Sequence, residues 1–151
     1  MSSWSERDDV TRGADYDARW TEMAEAGQSI HGEADLICHL LASAPAPPER
    51  PSVLDAGCGT GRVTAMMLER LPAGRVIALD GSSAMLEQAR ERLGGDPRVQ
   101  FVLADLTEPL PAFDAVDLII STSTLHWVPD HAGVFRRFAA RLAPGGRLHV
   151  D

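Results

Sequence analysis

The sequence predicts an α/β fold, with a doubly wound, mostly parallel sheet and helices on both of its faces. From residue 53 onward, short apolar segments typical of strands alternate with segments whose apolar residues recur every three or four positions, as in helices. The segment 115–121 is nearly all apolar, as expected of a strand that is buried on both faces. Strands and helices that alternate through short loops build a parallel sheet with right-handed crossovers.

The N-terminal part of the chain is predicted to be helical. Aromatic and apolar residues at helical spacing predict helices over 14–27 and over 32–43. Four prolines within 44–52 exclude a helix interior or a central strand there. We therefore predict a helical N-terminal arm over 1–45 and a core domain over 46–151.

The core domain begins with a strand at Val53–Leu54, which runs into a glycine-rich loop. Apolar residues on one face predict a helix over 62–71, and the proline that follows stops it. The apolar run at 75–79 predicts a second strand. A helix is then predicted over 84–93, ended by a pair of glycines.

The second half of the core continues the alternation. Strands are predicted over 99–103 and 115–121. A helix is predicted over 130–142, with its first residue, an Asp, as the N-cap. The Pro-Gly-Gly at 144–146 predicts a turn, and a fifth strand is predicted to begin at 147.

Composition and charge exclude several classes of protein. The chain has 151 residues, about the size of one domain, and its 22 acidic and 14 basic residues give a net charge of −8. That charge disfavours binding to nucleic acid or to an anionic membrane. Two cysteines, Cys38 and Cys58, make neither a disulfide framework nor a metal site. The polar N-terminus is no signal peptide, and no apolar run approaches the ~20 residues of a membrane span, so we expect a cytoplasmic protein.

A glycine-rich loop at 55–61 (DAGCGTG) follows the first strand and opens the first helix of the core. In a parallel α/β sheet, ligands bind at the carboxyl ends of the strands. Glycines there let the backbone approach a ligand closely, and the helix N-terminus offers N–H groups to an anion. The alternative is a tight turn with a structural role alone.

Two further acidic residues stand at predicted strand ends. Asp80 ends the second strand, where a carboxylate can accept hydrogen bonds from both hydroxyls of a ribose. Asp105 follows the third strand, where it could accept from an adenine amino group while the next backbone N–H donates to the ring. The alternatives are a helix-capping role for Asp80 and a turn-forming role for Asp105.

The loop does not match a dinucleotide fingerprint, because G-x-G-x-x-G requires a third glycine where Arg62 stands. Asp55 within the loop would also repel a pyrophosphate, which disfavours an NAD-linked oxidoreductase. It suits a ligand that carries an ammonium group beside a carboxylate. A methionine-type zwitterion joined to adenosine meets all of these demands.

These motifs together carry a family resemblance. VLDAGCGTGR, VIALDGSSAML, VLADL, FDAVDLIISTSTLHWVPD and LAPGGRLHV, within 53–150, resemble the successive motifs of class I S-adenosylmethionine-dependent methyltransferases. LHWVPDH at 125–131 is most similar to the trans-aconitate-methyltransferase-like, small-molecule branch. The resemblance implies a Rossmann-like fold, S-adenosylmethionine as cofactor, S-adenosylhomocysteine as product, and methyl transfer to a small-molecule acceptor by in-line displacement.

The resemblance also implies the residues of the cofactor site. The methionine part would contact Asp55, Ala56, Gly57, Cys58, Gly59 and Gly61. The adenosine would contact Asp80, Gly81 and Met85, and its adenine edge would contact Ala104, Asp105 and Leu106. Ser121 would lie beneath the methionine part, and Tyr16 and Arg19 of the arm would cover the cofactor. The alternative for Tyr16 is packing beside Trp20 on one helix face.

The sequence carries little information about the site of the methyl acceptor. A general base is needed only if the acceptor arrives protonated, and His126 is the candidate, the alternative being a packed loop histidine. Trp127 would either wall an acceptor pocket or pack the loop. The sequence after the fourth strand carries neither the Asn/Asp-Pro-Pro-aromatic motif nor the Pro-Cys pair of DNA methyltransferases. We therefore expect a small-molecule acceptor with a carboxylate, a hydroxyl or a similar group.

Similar proteins continue past the fifth strand with a further helix and an antiparallel hairpin, whereas this sequence ends at Asp151. Three interpretations are open. The chain is a fragment of a longer enzyme, or it forms a homodimer through the exposed edge of the fifth strand. In the third, it is a non-catalytic module that binds S-adenosylmethionine or a partner.

Overall fold

The computed structural model describes residues 10–26 and 32–151, except for the side chains of residues 10–16 and 20. It confirms the predicted α/β fold. The strands are β1 (Ser52–Ala56), β2 (Arg75–Asp80), β3 (Val99–Leu103), β4 (Val116–Ser121) and β5 (Leu142–Val150). The helices are α1 (Val10–Glu25), α2 (Gly32–Ala42), α3 (Arg62–Arg70), α4 (Ser83–Leu93) and α5 (His131–Ala139), with a 3₁₀ turn at Leu125–Trp127.

The five strands form one sheet in the order β3-β2-β1-β4-β5, and every pairing is parallel. The strand order reverses at β1, which pairs with β2 on one side and with β4 on the other. In such a sheet the crossovers leave β1 in opposite directions and open a crevice at the carboxyl ends of the central strands. The crevice between β1 and β4 is therefore where the fold offers a ligand site.

Two apolar clusters cover the two faces of the sheet, because successive strand residues point to opposite faces. The cluster on the α5 face contains Leu54, Ala56, Ile77, Leu79, Leu106, Leu110, Val116, Ile119, Leu125, Val128, Val134 and Phe138. The cluster on the α2 and α3 face contains Ala34, Ile37, Leu41, Val53, Val63, Met66, Met67, Leu68, Val76, Leu93, Leu118 and Ile120. Both layers together hold the strand ends in fixed positions.

The ends of two helices differ from the prediction by three residues or more, while the bounds of the other three differ by one residue. Helix α1 begins at Val10, four residues before the predicted start, while Gly27, predicted to close it, lies outside the described residues. Helix α5 ends at Ala139, so the predicted end at Leu142 is wrong. The reason is tertiary: the carbonyl of Arg141 accepts a hydrogen bond from the backbone N–H of Val116, which begins the pairing with β4.

Strand β5 begins at Leu142, so its predicted start at 147 is wrong, and the predicted turn at 144–146 lies inside the strand as an irregularity. Leu142 is opposite Val116 and Arg147 is opposite Leu118, so residues 143–146 stand against a single residue of β4. Such a bulge bends one strand while the ladder continues on both sides of it. Elsewhere, the described helices include none that is long and apolar enough to cross a membrane.

Candidate cofactor site

The glycine-rich loop between β1 and α3 is fixed to the end of β2. The backbone N–H groups of Gly57 and Cys58 both donate to the carbonyl of Leu79, at 2.7 and 3.0 Å. Gly57, Gly59 and Gly61 all have positive φ angles, between 55° and 81°. Residues with side chains rarely adopt that conformation, so the path of the loop depends on glycine.

Gly57 also allows a close approach of two chain segments. A Cβ atom built on Gly57 would overlap the side chain of Thr124, whose hydroxyl lies 3.5 Å from the Gly57 carbonyl. A Cβ atom built on Gly59 meets nothing within 4 Å. The two glycines therefore share the backbone conformation but differ in the space around them.

We expect Gly57→Ala to destabilise the protein by about 2 kcal/mol more than Gly59→Ala. Left-handed backbone strain is common to both variants, so the difference isolates the overlap with Thr124. Urea unfolding of the two variants measures it. Equal losses of stability would show that Thr124 moves aside without cost.

Asp80 joins the loop to the end of β2. Its side chain is 4% exposed, and its Oδ2 accepts from the Gly59 N–H at 2.9 Å. Its Oδ1 accepts from the Ser82 N–H at 2.9 Å. Both oxygens of the Asp80 carboxylate therefore hold backbone N–H groups, one of the glycine-rich loop and one of the segment after β2.

Asp55 lies on β1, the strand next to the β2 strand that carries Asp80, and is 2% exposed. Its Oδ2 accepts from the Thr64 hydroxyl at 2.6 Å. Burial raises the pKa of Asp55 to about 7; the Thr64 hydrogen bond lowers it, and the charges of Asp80 and Glu33 raise it further. A cation bound beside this buried carboxyl would favour its ionised form and attract it strongly.

Positive groups stand on the other side of the loop. Arg19 of α1 and Arg62 of α3 both line the cavity described below. The N-terminus of α3 has no side-chain cap, so donors of its first turn remain for an anion. The site thus presents negative charge from β1 and β2 and positive charge from α1 and α3.

These elements enclose a cavity of about 320 Å³. That volume is within the range of small-molecule sites. Its lining residues are Arg19, Asp55, Gly57, Cys58, Gly59, Thr60, Arg62, Val63, Asp80, Met85, Thr122, Ser123, Thr124, His126 and Trp127. The cavity therefore sits at the carboxyl ends of β1, β2 and β4, where the sheet order reverses.

The structure brings together eight of the residues predicted for the site. Arg19, Asp55, Gly57, Cys58, Gly59, Asp80, Met85 and His126 line the cavity. Ala56, Gly61, Gly81, Ala104, Asp105, Leu106 and Ser121 are not among the lining residues. The side chain of Tyr16 lies outside the described residues. Prediction missed Thr60, Arg62, Val63, Thr122, Ser123 and Thr124, although Thr60 stands inside the glycine motif and 122–124 directly follow β4.

Three of the residues that do not line the cavity have structural partners. Asp105 accepts from the N–H and the hydroxyl of Thr107, at 2.8 and 2.7 Å, which is the arrangement of a turn. Leu106 is fully buried in the core beneath α5. Ser121 is also fully buried, and its hydroxyl donates to the Ala56 carbonyl at 2.9 Å. An adenine contact for Asp105 and Leu106 stays a prediction.

His126 and Trp127 form the outer wall of the cavity. Both are exposed, and their rings lie 4.8 Å apart at an angle of 44°. Their 3₁₀ turn is held by His131, whose Nε2 lies 2.8 Å from the carbonyl of Leu125. The wall can therefore present an imidazole and an aromatic face to a second ligand.

Metal binding has no support in this region. Within residues 10–26 and 32–151, no group of three or more His, Cys, Asp or Glu side chains could hold a metal ion. Burial raises the pKa of the Cys58 thiol well above its ordinary value, so this cysteine is a poor nucleophile. The chemistry of the site rests on charged groups and backbone donors.

Comparison with known proteins identifies the family. A family model for a methyltransferase domain matches residues 53–146, which contain the loop and most of the cavity. The chain belongs to this methyltransferase family. The predicted resemblance to S-adenosylmethionine-dependent methyltransferases is thereby confirmed.

Individual relatives agree with the family. A trans-aconitate 2-methyltransferase of Acidovorax sp. (strain JS42) is 47% identical over 112 residues, which are 74% of this chain and 42% of that protein. The TehB-like SAM-dependent methyltransferase of Corynebacterium glutamicum is 26% identical, with a TM-score of 0.72, over 93% of this chain and 72% of that one. The SAM-bound amino pentose methyltransferase CalS10 of Micromonospora echinaspora is 30% identical, with a TM-score of 0.71, over 88% of this chain and 53% of that one. This methyltransferase chain thus has the Rossmann-like fold, and it spans less than half the length of the trans-aconitate 2-methyltransferase that it matches.

Proposed function

We propose that this chain binds S-adenosylmethionine in the cavity at the carboxyl ends of β1, β2 and β4, and transfers its methyl group to a small-molecule acceptor. The observation that carries the proposal is the separation of charge within one cavity. The acidic side chains of Asp55 and Asp80 lie on the sheet side, and the cationic side chains of Arg19 and Arg62 lie on the helix side. An amino acid zwitterion joined to a nucleoside is complementary to both.

Each side chain has a distinct role in this proposal. Asp55 accepts from the ammonium group of the cofactor, and Asp80 accepts from the ribose hydroxyls. The uncapped N-terminus of α3 and Arg19 attract the carboxylate. The cofactor supplies a methyl group already activated on a sulfonium, so the protein mainly orients the reactants and excludes water.

The direct test is calorimetric titration of S-adenosylhomocysteine, the product, into this chain. We expect saturable binding with one site per chain. A folded chain that binds neither the product nor S-adenosylmethionine would contradict the proposal. Trans-aconitate is the first acceptor to try, because the trans-aconitate 2-methyltransferases are relatives of this chain.

His126 offers a way to identify the acceptor group. A hydroxyl acceptor must lose a proton, whereas a carboxylic acid is already ionised at neutral pH. We expect His126→Asn to lower kcat about 100-fold for a hydroxyl acceptor but by less than about threefold for a carboxylate. Steady-state kinetics with acceptors of both kinds measures the difference. Equal losses with both acceptors would assign His126 to binding or packing.

A cofactor-binding module without methyl transfer is the second candidate. The chain spans 42% of the Acidovorax relative, while all the residues proposed for cofactor binding are present. Cofactor binding without turnover of any acceptor would favour this candidate. Methyl transfer by this chain would exclude it.

The remaining proposals concern organisation and partners. We propose residues 1–45 as an arm over the cavity and 46–151 as the cofactor-binding core. A homodimer across β5 is supported by the position of that strand at the edge of the described sheet and by its Leu148, which is 38% exposed. The exclusion of nucleic acid and the cytoplasmic location stay predictions.

A further inference from the structure

Asp17 connects helix α1 to the cofactor loop. Its Oδ1 accepts from the hydroxyl of Thr60 at 2.9 Å and from Nε of Arg62 at 3.3 Å. Its Oδ2 accepts from Nη2 of Arg92 at 2.6 Å. The three partners belong to the glycine-rich loop, to α3 and to α4, so one carboxylate joins α1 to three separate segments. We call Asp17, Thr60, Arg62 and Arg92 the clasp.

The clasp also holds the loop itself. Arg92 donates through Nε to the backbone carbonyl of Thr60 at 2.9 Å, while the Thr60 hydroxyl donates to Asp17. Thr60 is therefore fixed at both its side chain and its backbone. It stands between Gly59 and Gly61, which both have positive φ angles and no side chains of their own to hold the loop. Fixing Thr60 fixes the direction of the loop N–H groups.

The clasp contributes to stability because its charged side chains are partly buried. The side chains of Asp17, Arg62 and Arg92 are 23%, 22% and 32% exposed. Two arginines share one carboxylate, so the group keeps a net positive charge beside the cavity. Networks of charge-assisted hydrogen bonds at partly buried positions contribute more than isolated surface pairs.

A second ion pair provides a matched comparison. Asp35 of α2 accepts from Nε of Arg70 at 2.9 Å, but the Asp35 side chain is 65% exposed. Neither residue lines the cofactor cavity. Both aspartates lie on N-terminal helices and pair with an arginine of the core, and they differ in whether that arginine belongs to the cavity region.

We propose that Asp17 is a positioning residue that docks α1 over the cofactor cavity and holds the glycine-rich loop in its binding conformation. The inference rests on the proposed function, since the bound ligand is the cofactor. Arg19, two residues along α1, lines the cavity in the docked position of α1 that the structure shows. Docking of α1 and binding of the cofactor are therefore coupled, and each strengthens the other.

The test compares Asp17→Asn with the matched control Asp35→Asn. Hydrogen exchange, read by mass spectrometry without any ligand, reports whether α1 is docked. Calorimetry with S-adenosylhomocysteine reports the affinity. We expect Asp17→Asn to speed exchange in peptides from 10–26 and to weaken affinity about tenfold, since a charge-assisted contact is lost. Asp35→Asn should change neither.

Two further measurements separate positioning from general destabilisation. In a double-mutant cycle, Arg92→Gln should cost less in the Asp17→Asn background than in the wild type, because the Asp17–Arg92 contact is already weakened there, while the Arg92 bond to the Thr60 carbonyl is lost in both backgrounds. Added salt should weaken product binding in the wild-type chain more than in Asp17→Asn, because the clasp is partly exposed. Additive losses, or equal salt dependence, would overturn the inference.

The outcomes also separate this inference from the proposed function. If the wild-type chain binds no product, the proposed function fails, and exchange in α1 alone decides whether Asp17 docks the helix. If Asp17→Asn speeds exchange but binds the product as tightly as the wild type, docking is real and the positioning role is wrong. Unchanged exchange in α1 overturns the inference altogether.

Discussion

Replacement of Asp80 by Asn is expected to weaken binding of S-adenosylmethionine about 100-fold. The carboxylate accepts from Gly59 N–H and Ser82 N–H through its two oxygens, and both contacts are 2.9 Å long. An amide has only one oxygen, so its NH₂ group must face one of the two N–H donors. The substitution also removes the negative charge proposed to receive the ribose hydroxyls, and two charge-assisted hydrogen bonds account for a loss of this size.

Asp117→Asn is the matched control for this experiment. Asp117 of β4 also accepts from a backbone N–H, that of Ser52, at 2.9 Å. It lies toward the amino ends of the strands, away from the cavity. Calorimetry with both variants should show weak binding for Asp80→Asn and wild-type affinity for Asp117→Asn. Equal affinities in the two variants would remove Asp80 from the proposed site.

The sequence predicts the fold well because local pattern and tertiary structure agree along most of the core. The predicted strand over 99–103 has the observed bounds, and the strand predicted over 115–121 differs by one residue. The misplaced end of α5 shows the limit. Leu142 continues the helical pattern of that segment, but pairing with β4 draws it into a strand, and no local signal reports that competition.

Part of the candidate site was predictable, because the sequence places acidic residues near the ends of strands. Asp55 and Asp80 follow from that rule and line the cavity, whereas Asp105, predicted on the same ground, does not. Asp17 does not follow from that rule, because it is 43 residues from Thr60 and 75 from Arg92, and nothing near it in the sequence marks it. Prediction also missed the Thr64 partner of Asp55, which becomes visible only when α3 packs on β1.

Asp55 should make the ligand-free protein less stable as the pH rises from about 4 to about 7. The pKa of its carboxyl is raised from 3.8 to about 7, chiefly by burial. Between these values the native state holds a proton that the unfolded state has released, so raising the pH favours unfolding. The stability lost across this window is roughly 4 kcal/mol, and the curve levels above pH 7.

Asp55→Asn should remove that slope. The amide oxygen can still accept from the Thr64 hydroxyl, and no buried charge forms at high pH. Urea unfolding between pH 5 and pH 8 is the measurement. The variant should exceed the wild type in stability by a margin that grows from pH 5 to pH 8. A wild-type chain with the same pH dependence as the variant would contradict the raised pKa.

The same substitution should act on cofactor binding in the opposite direction. An ammonium group beside Asp55 favours the ionised carboxylate, so affinity of the wild type for S-adenosylmethionine should rise with pH up to about 7. Asp55→Asn should bind S-adenosylmethionine weakly at every pH.

The charge of Asp80 contributes to the raised pKa of Asp55. In Asp80→Asn, the pH-dependent loss of stability should therefore end at a lower pH than in the wild type. The ligand-free site is therefore held in an electrostatically unfavourable state near neutral pH, and a cationic ligand relieves it.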